Sequence, residues 1–63
     1  MNPDAYKDAL ARLGLSQAGA ARLFRVHERT SSRWANGLQD IPKAVEIALK
    51  LMIRFHVKPA SFL

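Results

Sequence analysis

Four side chains able to hydrogen bond to nucleic-acid bases recur at helical spacing in the middle of the chain. They are Glu28, Arg29, Ser32 and Arg33. Arginine presents a planar fork of donors that matches the two major-groove acceptors of guanine, and a carboxylate accepts from the amino group of cytosine. Because residues three and four apart share a helix face, a helix here would present all four together. This pattern predicts a surface that reads base edges in double-stranded DNA.

The same segment has a second face that is suited to packing. Thr30, Ser31 and Trp34 fall on it at helical spacing. We expect Trp34 to lie in the core, and the alternative is a base-stacking role. The outer residues also have simpler interpretations. The two arginines and the serine can form a solvated face, and Glu28 can merely suit the dipole of the first helical turn.

Two short helices joined by a tight turn are expected over residues 15–37. The first opens at Ser16, whose hydroxyl can accept a hydrogen bond from a free backbone N–H, and it ends near Phe24. The second runs over about residues 28–35. Gly37 then ends it, because glycine takes the left-handed conformation at no steric cost. Two such helices, the second with a polar outer face, describe a helix-turn-helix.

Five polar residues around this unit are candidates for contact with DNA phosphates. They are Gln17, Arg22, Arg25, His27 and Lys43. Gln17 lies at a helix N-terminus, where anions bind well, and helix capping is its alternative role. Arg22 and Arg25 can equally face water, and His27 can equally be a neutral structural imidazole. Phosphate contacts fix the register of a protein on DNA, whereas base contacts specify the sequence.

The composition limits the class of protein. Sixty-three residues form one domain at most, residues 1–63. There is no cysteine, and His27 and His56 are far apart, so we expect neither a metal site nor a cofactor. Ten Lys and Arg against five Asp and Glu give a net charge of +5 and a pI near 10.5. This balance favours nucleic acid as the partner, with a membrane-surface helix as the alternative.

No pattern in the sequence predicts an enzyme, a secreted protein or a membrane-spanning segment. The sequence lacks paired carboxylates, a cysteine nucleophile, a glycine-rich phosphate loop and a credible catalytic triad. The first residues lack the basic and apolar regions of a signal peptide. The most apolar stretch, residues 44–57, contains Glu46, Lys50 and Arg54 and is too short and too charged to span a bilayer. We therefore expect a cytoplasmic protein without a membrane partner.

The N-terminal segment predicts one further helix, and no strand pattern occurs anywhere. Asn2 is a favourable cap for a helix over residues 3–13. Ala5, Ala9 and Leu13 form one apolar row on it, with Tyr6 and Leu10 beside that row. In the following helix, Gly19 is expected to allow close approach of a neighbouring helix. The predicted fold class is all-α, with four to five helices.

A last, strongly apolar helix is expected from Pro42 to residue 55 or 56, with its cap at Asp40 or Ile41. Its apolar side chains exceed what a three-helix core requires. We expect the core to use Val45, Leu49 and Met52. The surplus predicts a homodimer interface, because an isologous contact buries the same side chains on both subunits. Its candidates are Leu51, Phe55, Phe62 and Leu63. Folding of the tail onto the same helix is the alternative.

The segment over residues 15–37 resembles the helix-turn-helix of phage repressors, the Cro/C1 or XRE-like family with a lambda repressor-like fold. The resemblance covers roughly residues 4–56. Its marks are Leu15, Ser16, Gln17, Ala21, Val26, Arg33, Trp34, Asn36 and Gly37. It implies a sequence-specific regulator that binds double-stranded DNA at a palindromic operator and represses transcription. It also implies that Asn36 contacts phosphate and that Gln17 contacts the DNA backbone or supports the reading helix.

The chain departs from the family pattern at four positions. Arg25 stands where glycine is usual in the turn, and His27 stands where a serine or threonine usually caps the second helix. Ser31 replaces a branched apolar residue on the inner face. Gly19 replaces an acidic residue, so the usual reciprocal capping box cannot form.

Two other functions remain open at the level of sequence. One is an antitoxin-like module that binds a partner protein through the last helix and the tail. The other is an RNA binder, which the lack of exposed aromatic pairs disfavours. No small-molecule ligand is expected, because no length remains for an effector domain. In a DNA-binding homodimer, the two reading helices would meet half-sites about 34 Å apart.

Overall fold

The structure is a computed structural model that describes residues 1–62, without the side chain of Phe62. Its elements are α1 (Pro3–Leu13), α2 (Gln17–Phe24), α3 (Glu28–Ala35), α4 (Lys43–Arg54) and a short 3₁₀ helix (Pro59–Phe62). No strand occurs in this part of the chain, so the all-α prediction is confirmed. The helices form a compact domain with a radius of gyration of 10.4 Å.

Side-chain caps begin the first two helices, and a glycine ends the first. Asn2 Oδ1 accepts a hydrogen bond from the backbone N–H of Ala5 at 2.7 Å, and Ser16 Oγ accepts one from Gly19 at 2.9 Å. Gly14 follows α1 in the left-handed conformation, with φ of 68°. Each group satisfies backbone donors or acceptors that a helix end leaves open. The two predicted caps are therefore confirmed.

The start of α4 differs from the prediction. Asp40 and Ile41 do not cap it, because the cap residue is Pro42, which has an extended backbone and no side-chain hydrogen bond. The carbonyl of Pro42 accepts the first helical bonds, from Val45 at 3.0 Å and Glu46 at 3.2 Å. Proline thus precedes the helix here and does not occupy its first position.

The core lies where α1 meets α3 and α4, and α2 closes it by packing against α3. Its buried residues are Tyr6, Ala9, Leu10, Ala20, Trp34, Ala35, Val45, Leu49 and Met52. The predicted core positions on α3 and α4 are therefore confirmed. The predicted apolar row of α1 is wrong at Ala5, which is exposed, and Leu13 is only half-buried. Tyr6 and Leu10, which flank the predicted row, are buried, so the buried face of α1 is formed by residues 6, 9 and 10.

A buried hydrogen bond explains the unusual serine on the inner face of α3. Tyr6 Oη and Ser31 Oγ lie 2.8 Å apart, and neither residue is exposed. The Tyr6 ring also meets Trp34 edge to face, with centroids 5.8 Å apart. Burial raises the pKa of the Tyr6 phenol, which stays a neutral donor or acceptor. A branched apolar residue at position 31 would leave this hydroxyl without a partner.

At two glycines an added Cβ atom would make tight contacts with neighbouring atoms. At one of them, the neighbours are not those that the sequence predicts. A Cβ atom at Gly19 would lie 3.2 Å from Ser16 Oγ and 3.3 Å from Leu15 Cδ2. This glycine makes room for the cap of its own helix, so the expected approach of a neighbouring helix is wrong. Gly37 has φ of 74°, and a Cβ atom there would lie 3.2 Å from Pro3 Cγ. It ends α3 and brings the following loop against α1.

No helix in the described part of the chain combines the length and the apolar character needed to cross a membrane.

Candidate nucleic-acid interface

Helix α3 is held by its inner face and leaves its charged face in solvent. Ser31, Trp34 and Ala35 are at most 2 % exposed. On the other side, Glu28, Arg29 and Arg33 are exposed, and Ser32 is half-buried at the edge. The separation of the two faces follows the predicted periodicity. The four predicted base-reading residues therefore share one accessible side of α3.

The positive charge of this surface is not neutralised within the described chain. Salt bridges join Lys7 to Asp4, Arg12 to Asp8, and both Lys43 and Lys50 to Glu46. The six remaining cations have no such partner among the described residues. They are Arg22, Arg25, Arg29, Arg33, Arg54 and Lys58. Four of these six lie between residues 22 and 33, which concentrates the unpaired charge on α2, α3 and the turn between them.

One pair of predicted site residues is in direct contact. Asn36 Nδ2 donates a hydrogen bond to Ser32 Oγ at 3.2 Å, one turn apart. Ser32 keeps its own proton as a donor, because its oxygen acts here as the acceptor. Asn36 is exposed at the end of α3. A predicted base-reading residue and a predicted phosphate-contacting residue therefore form one polar unit.

The turn between α2 and α3 carries two of the predicted phosphate contacts. Arg25 is exposed and has a left-handed backbone, with φ of 55° and ψ of 46°. His27 is exposed at the cap position of α3, where its side chain makes no capping bond. Its carbonyl accepts from Thr30 and Ser31, at 2.9 Å and 3.2 Å. With no capping side chain, the start of α3 keeps donor groups available to an anion.

The remaining predicted phosphate contacts do not lie together. Gln17 is exposed in the first position of α2, and Lys43 is exposed in the first position of α4, with Nζ 3.8 Å from Glu46 Oε2. Arg22 lies on another side of α2. It lines a cleft with residues of α1 and α4, and no residue of α3 contributes to that cleft.

Two of the predicted dimer residues line an apolar groove. Leu51 is 50 % exposed and Phe55 is 63 % exposed. They line a groove of about 480 Å³ together with Leu23, Phe24, Ala48, Met52 and Val57. We call this the α2–α4 groove. The described tail does not cover these two side chains, and its buried residue, Pro59, lines the cleft that contains Arg22. The Phe62 side chain and Leu63 lie outside the described residues.

A charged cluster at the start of α4 was not singled out from the sequence. Glu46 is 7 % exposed and accepts hydrogen bonds from Lys50 Nζ at 2.7 Å and from the amino group of Met1 at 2.9 Å. These bonds, with the charge of Lys43, lower the pKa of Glu46 to about 2. The spacing of Lys43, Glu46 and Lys50 on one helix face indicates part of this cluster. The contact with Met1 spans 45 positions and has no local signal.

Within the described chain, no group of three or more histidine, cysteine, aspartate or glutamate side chains is placed to hold a metal ion. Comparisons of the sequence and the structure with protein-family models, curated proteins and solved structures gave no match.

Proposed function

We propose that this protein is a sequence-specific regulator that binds double-stranded DNA through the exposed face of α3 and represses transcription from its operator. The observation that carries the proposal is that α3 has one buried face and one exposed, charged face. Its inner face is buried against Tyr6, while Arg29 and Arg33 extend into solvent without a carboxylate partner. Arginine forks so placed match guanine O6 and N7 in the major groove.

The neighbouring groups support a division of roles within the proposed interface. Glu28 and the Ser32–Asn36 pair extend the reading surface, because they supply acceptors and donors beside the arginines. Contacts with the DNA phosphates fix the position of the protein, and they are made by Gln17, Arg25, His27 and Lys43. Arg22 is less suited to this role, because it lies on the side of α2 that faces α1 and α4.

Selection from random duplexes at physiological salt, followed by affinity measurements on the enriched site, tests the proposal. Arg29→Ala and Arg33→Ala should each cost about 1–3 kcal/mol and relax the preference at one base position. Arg25→Ala should weaken all duplexes evenly and lower the salt slope by about 1. Arg12→Ala is the matched control, because Arg12 is an exposed arginine on α1 and lines the cleft to which no residue of α3 contributes.

Three results would contradict the proposal. The first is the absence of an enriched motif. The second is an unchanged motif and affinity in both α3 variants. The third is an affinity that does not fall as salt rises, since each neutralised phosphate releases counterions. A partner protein bound through α4, with no DNA affinity, would instead favour an antitoxin-like module.

We further propose that the protein binds a palindromic operator as a homodimer through α4. Ile47, Leu51 and Phe55 are spaced four residues apart and form an exposed apolar ridge, each at least 49 % exposed. Leu51 and Phe55 of this ridge also line the α2–α4 groove. A two-fold axis can place the ridge of each copy in the groove of the other, as an isologous contact requires. The domain measures 29 × 20 × 18 Å, which is of the same order as the spacing of about 34 Å between half-sites one DNA turn apart.

Sedimentation equilibrium at micromolar concentration tests the dimer. The wild-type chain should sediment as a dimer, and Phe55→Glu should sediment as a folded monomer, because it introduces a charge into the buried contact. Leu38→Glu is the matched control, since Leu38 is 77 % exposed in the loop before α4 and does not line the groove. A wild-type monomer both free and on a full operator would refute the dimer.

A further inference from the structure

A second concave surface lies away from α3 and is not used by the proposed function. It is a cleft of about 810 Å³ between the C-terminal ends of α1 and α4, the side of α2 that carries Gly19 and Arg22, and the start of the 3₁₀ helix. Its volume falls in the range of about 300–1,000 Å³ that is typical of sites for small molecules. We call it the α1–α4 cleft.

The floor of the α1–α4 cleft is apolar. Leu13 and Leu15 line it from the segment between α1 and α2, and Met52 and Ile53 line it from α4. These side chains pack against the core, so their exposed surfaces are held in place from below. Such a floor favours an apolar body over a bare phosphate chain, because it offers hydrophobic contact and no base-stacking or hydrogen-bonding group.

The rim of the cleft is basic. Arg22 and Lys58 line it and make no salt bridge with any described residue. Arg12 also lines the cleft, but its guanidinium is engaged by Asp8 at 2.8 Å. No aspartate or glutamate is among the lining residues. The positive rim therefore attracts an anion and repels a cation.

One further donor is available at the rim. Ser16 lines the cleft, and its oxygen accepts the capping bond from Gly19, which leaves its hydroxyl proton free to donate. His56, which follows α4, also lines the cleft, and its imidazole offers a second polar edge. Carboxylates and phosphates are the groups that such donors, together with arginine and lysine, bind most strongly.

We infer that the α1–α4 cleft binds a small amphiphilic anion, with its apolar body on the floor and one carboxylate or phosphate group at the Arg22–Lys58 rim. Charge complementarity and the apolar floor together select this chemical class. An amphiphilic cation or a neutral apolar molecule matches the apolar floor but not the basic rim. The inference does not depend on DNA binding, because no residue of α3 lines the cleft.

Titration of the ¹⁵N-labelled full chain with decanoate, below its micellar concentration and without DNA, tests the inference. Saturable 1:1 shifts should appear at Leu13, Gly19 and Ile53, which line the cleft. Decyl phosphate distinguishes the two possible head groups by its relative affinity. Decanol and decyltrimethylammonium carry the same chain without the anion, and each should bind at least about tenfold more weakly, since loss of one charged hydrogen bond amounts to a factor of this size.

Substitutions then locate the head group. Arg22→Gln and Lys58→Gln should each weaken decanoate binding about tenfold, whereas Arg29→Gln on α3 should leave it unchanged. All three residues are exposed, so these variants are expected to remain folded, and their amide spectra show whether they do. Equal binding of decanol, shifts confined to the α2–α4 groove, or no effect of either rim substitution would overturn the inference.

Discussion

The hydrogen bond between Tyr6 and Ser31 is a buried polar contact between α1 and the inner face of α3. Both hydroxyl groups are fully buried and 2.8 Å apart, so each has one partner and no access to solvent. Ser31→Ala leaves the Tyr6 hydroxyl buried without a partner, and Tyr6→Phe leaves the Ser31 hydroxyl in the same state. An unsatisfied buried hydroxyl costs about 1–3 kcal/mol, whereas replacement of both partners by apolar groups is nearly neutral.

We therefore expect each single variant to lose about 1–3 kcal/mol of unfolding free energy, and the double variant to lose less than the sum of the two. A core of this size rarely supplies more than about 3–5 kcal/mol, so either single loss is a large fraction of the total. At about 4–8 °C per kcal/mol in a small domain, the melting temperature should fall by several degrees or more.

Urea unfolding measures these free energies. Trp34 is the only tryptophan and lies against Tyr6, so its fluorescence reports on this part of the core. Helical circular dichroism provides a second signal, because Tyr6→Phe alters the surroundings of the tryptophan itself. Ser32→Ala is the matched control, since its hydroxyl lies at the edge of α3 and bonds the exposed Asn36. It should change stability by less than about 0.5 kcal/mol.

Two results would refute this reasoning. If Ser31→Ala costs no more than Ser32→Ala, the buried hydroxyl of Tyr6 does not need its partner. If the double variant loses the full sum of the single losses, the two side chains are not energetically coupled.

Three further predictions follow from the backbone and from the charges. The stabilisation by the ion pairs of Glu46 should be fully present above pH 4.5 and be lost as the pH falls toward 2, because folding lowers the pKa of Glu46 from 4.5 to about 2. Glu46→Gln should flatten this part of a profile of melting temperature against pH. Arg25→Gly should be more stable than Arg25→Ala by about 1 kcal/mol in chemical unfolding, because both remove the guanidinium and only glycine relieves the left-handed backbone; equal stabilities would contradict this. Gly37→Ala should lower the melting temperature more than Gly14→Ala does. Both positions have positive φ, but only a Cβ atom at Gly37 meets another residue, Pro3 Cγ at 3.2 Å.

The sequence predicts the helices well where the signals are local. Asn2, Ser16 and Gly37 act within a few residues of their own position, and the structure has each of them at the predicted helix end. The start of α4 is harder to predict, because proline is compatible both with the first helical position and with the residue before it. Local propensity does not distinguish the two, and the structure has Pro42 before the helix.

The candidate sites also differ in whether local sequence signals or contacts between distant residues define them. The exposed face of α3 follows from periodicity alone, so Arg29 and Arg33 are predictable. The partner of Ser31 lies 25 positions away, and the sequence shows only that a polar residue stands on an apolar face. The environment of Arg22 is also non-local, since the residues that share its cleft come from α1, α4 and the 3₁₀ helix. Such contacts depend on how helices pack, which no single segment encodes.

The three surfaces described above differ in how far they overlap. The exposed face of α3 shares no lining residue with the α2–α4 groove or with the α1–α4 cleft, whereas the groove and the cleft share Met52 and Val57. Substitution of Phe55 therefore leaves the proposed base contacts intact, and a loss of operator affinity in that variant reports on the second half-site. A ligand bound as proposed in the cleft would contact Met52 and Val57, which also line the groove. Its effect on dimer affinity should then exceed its effect on binding to a single half-site.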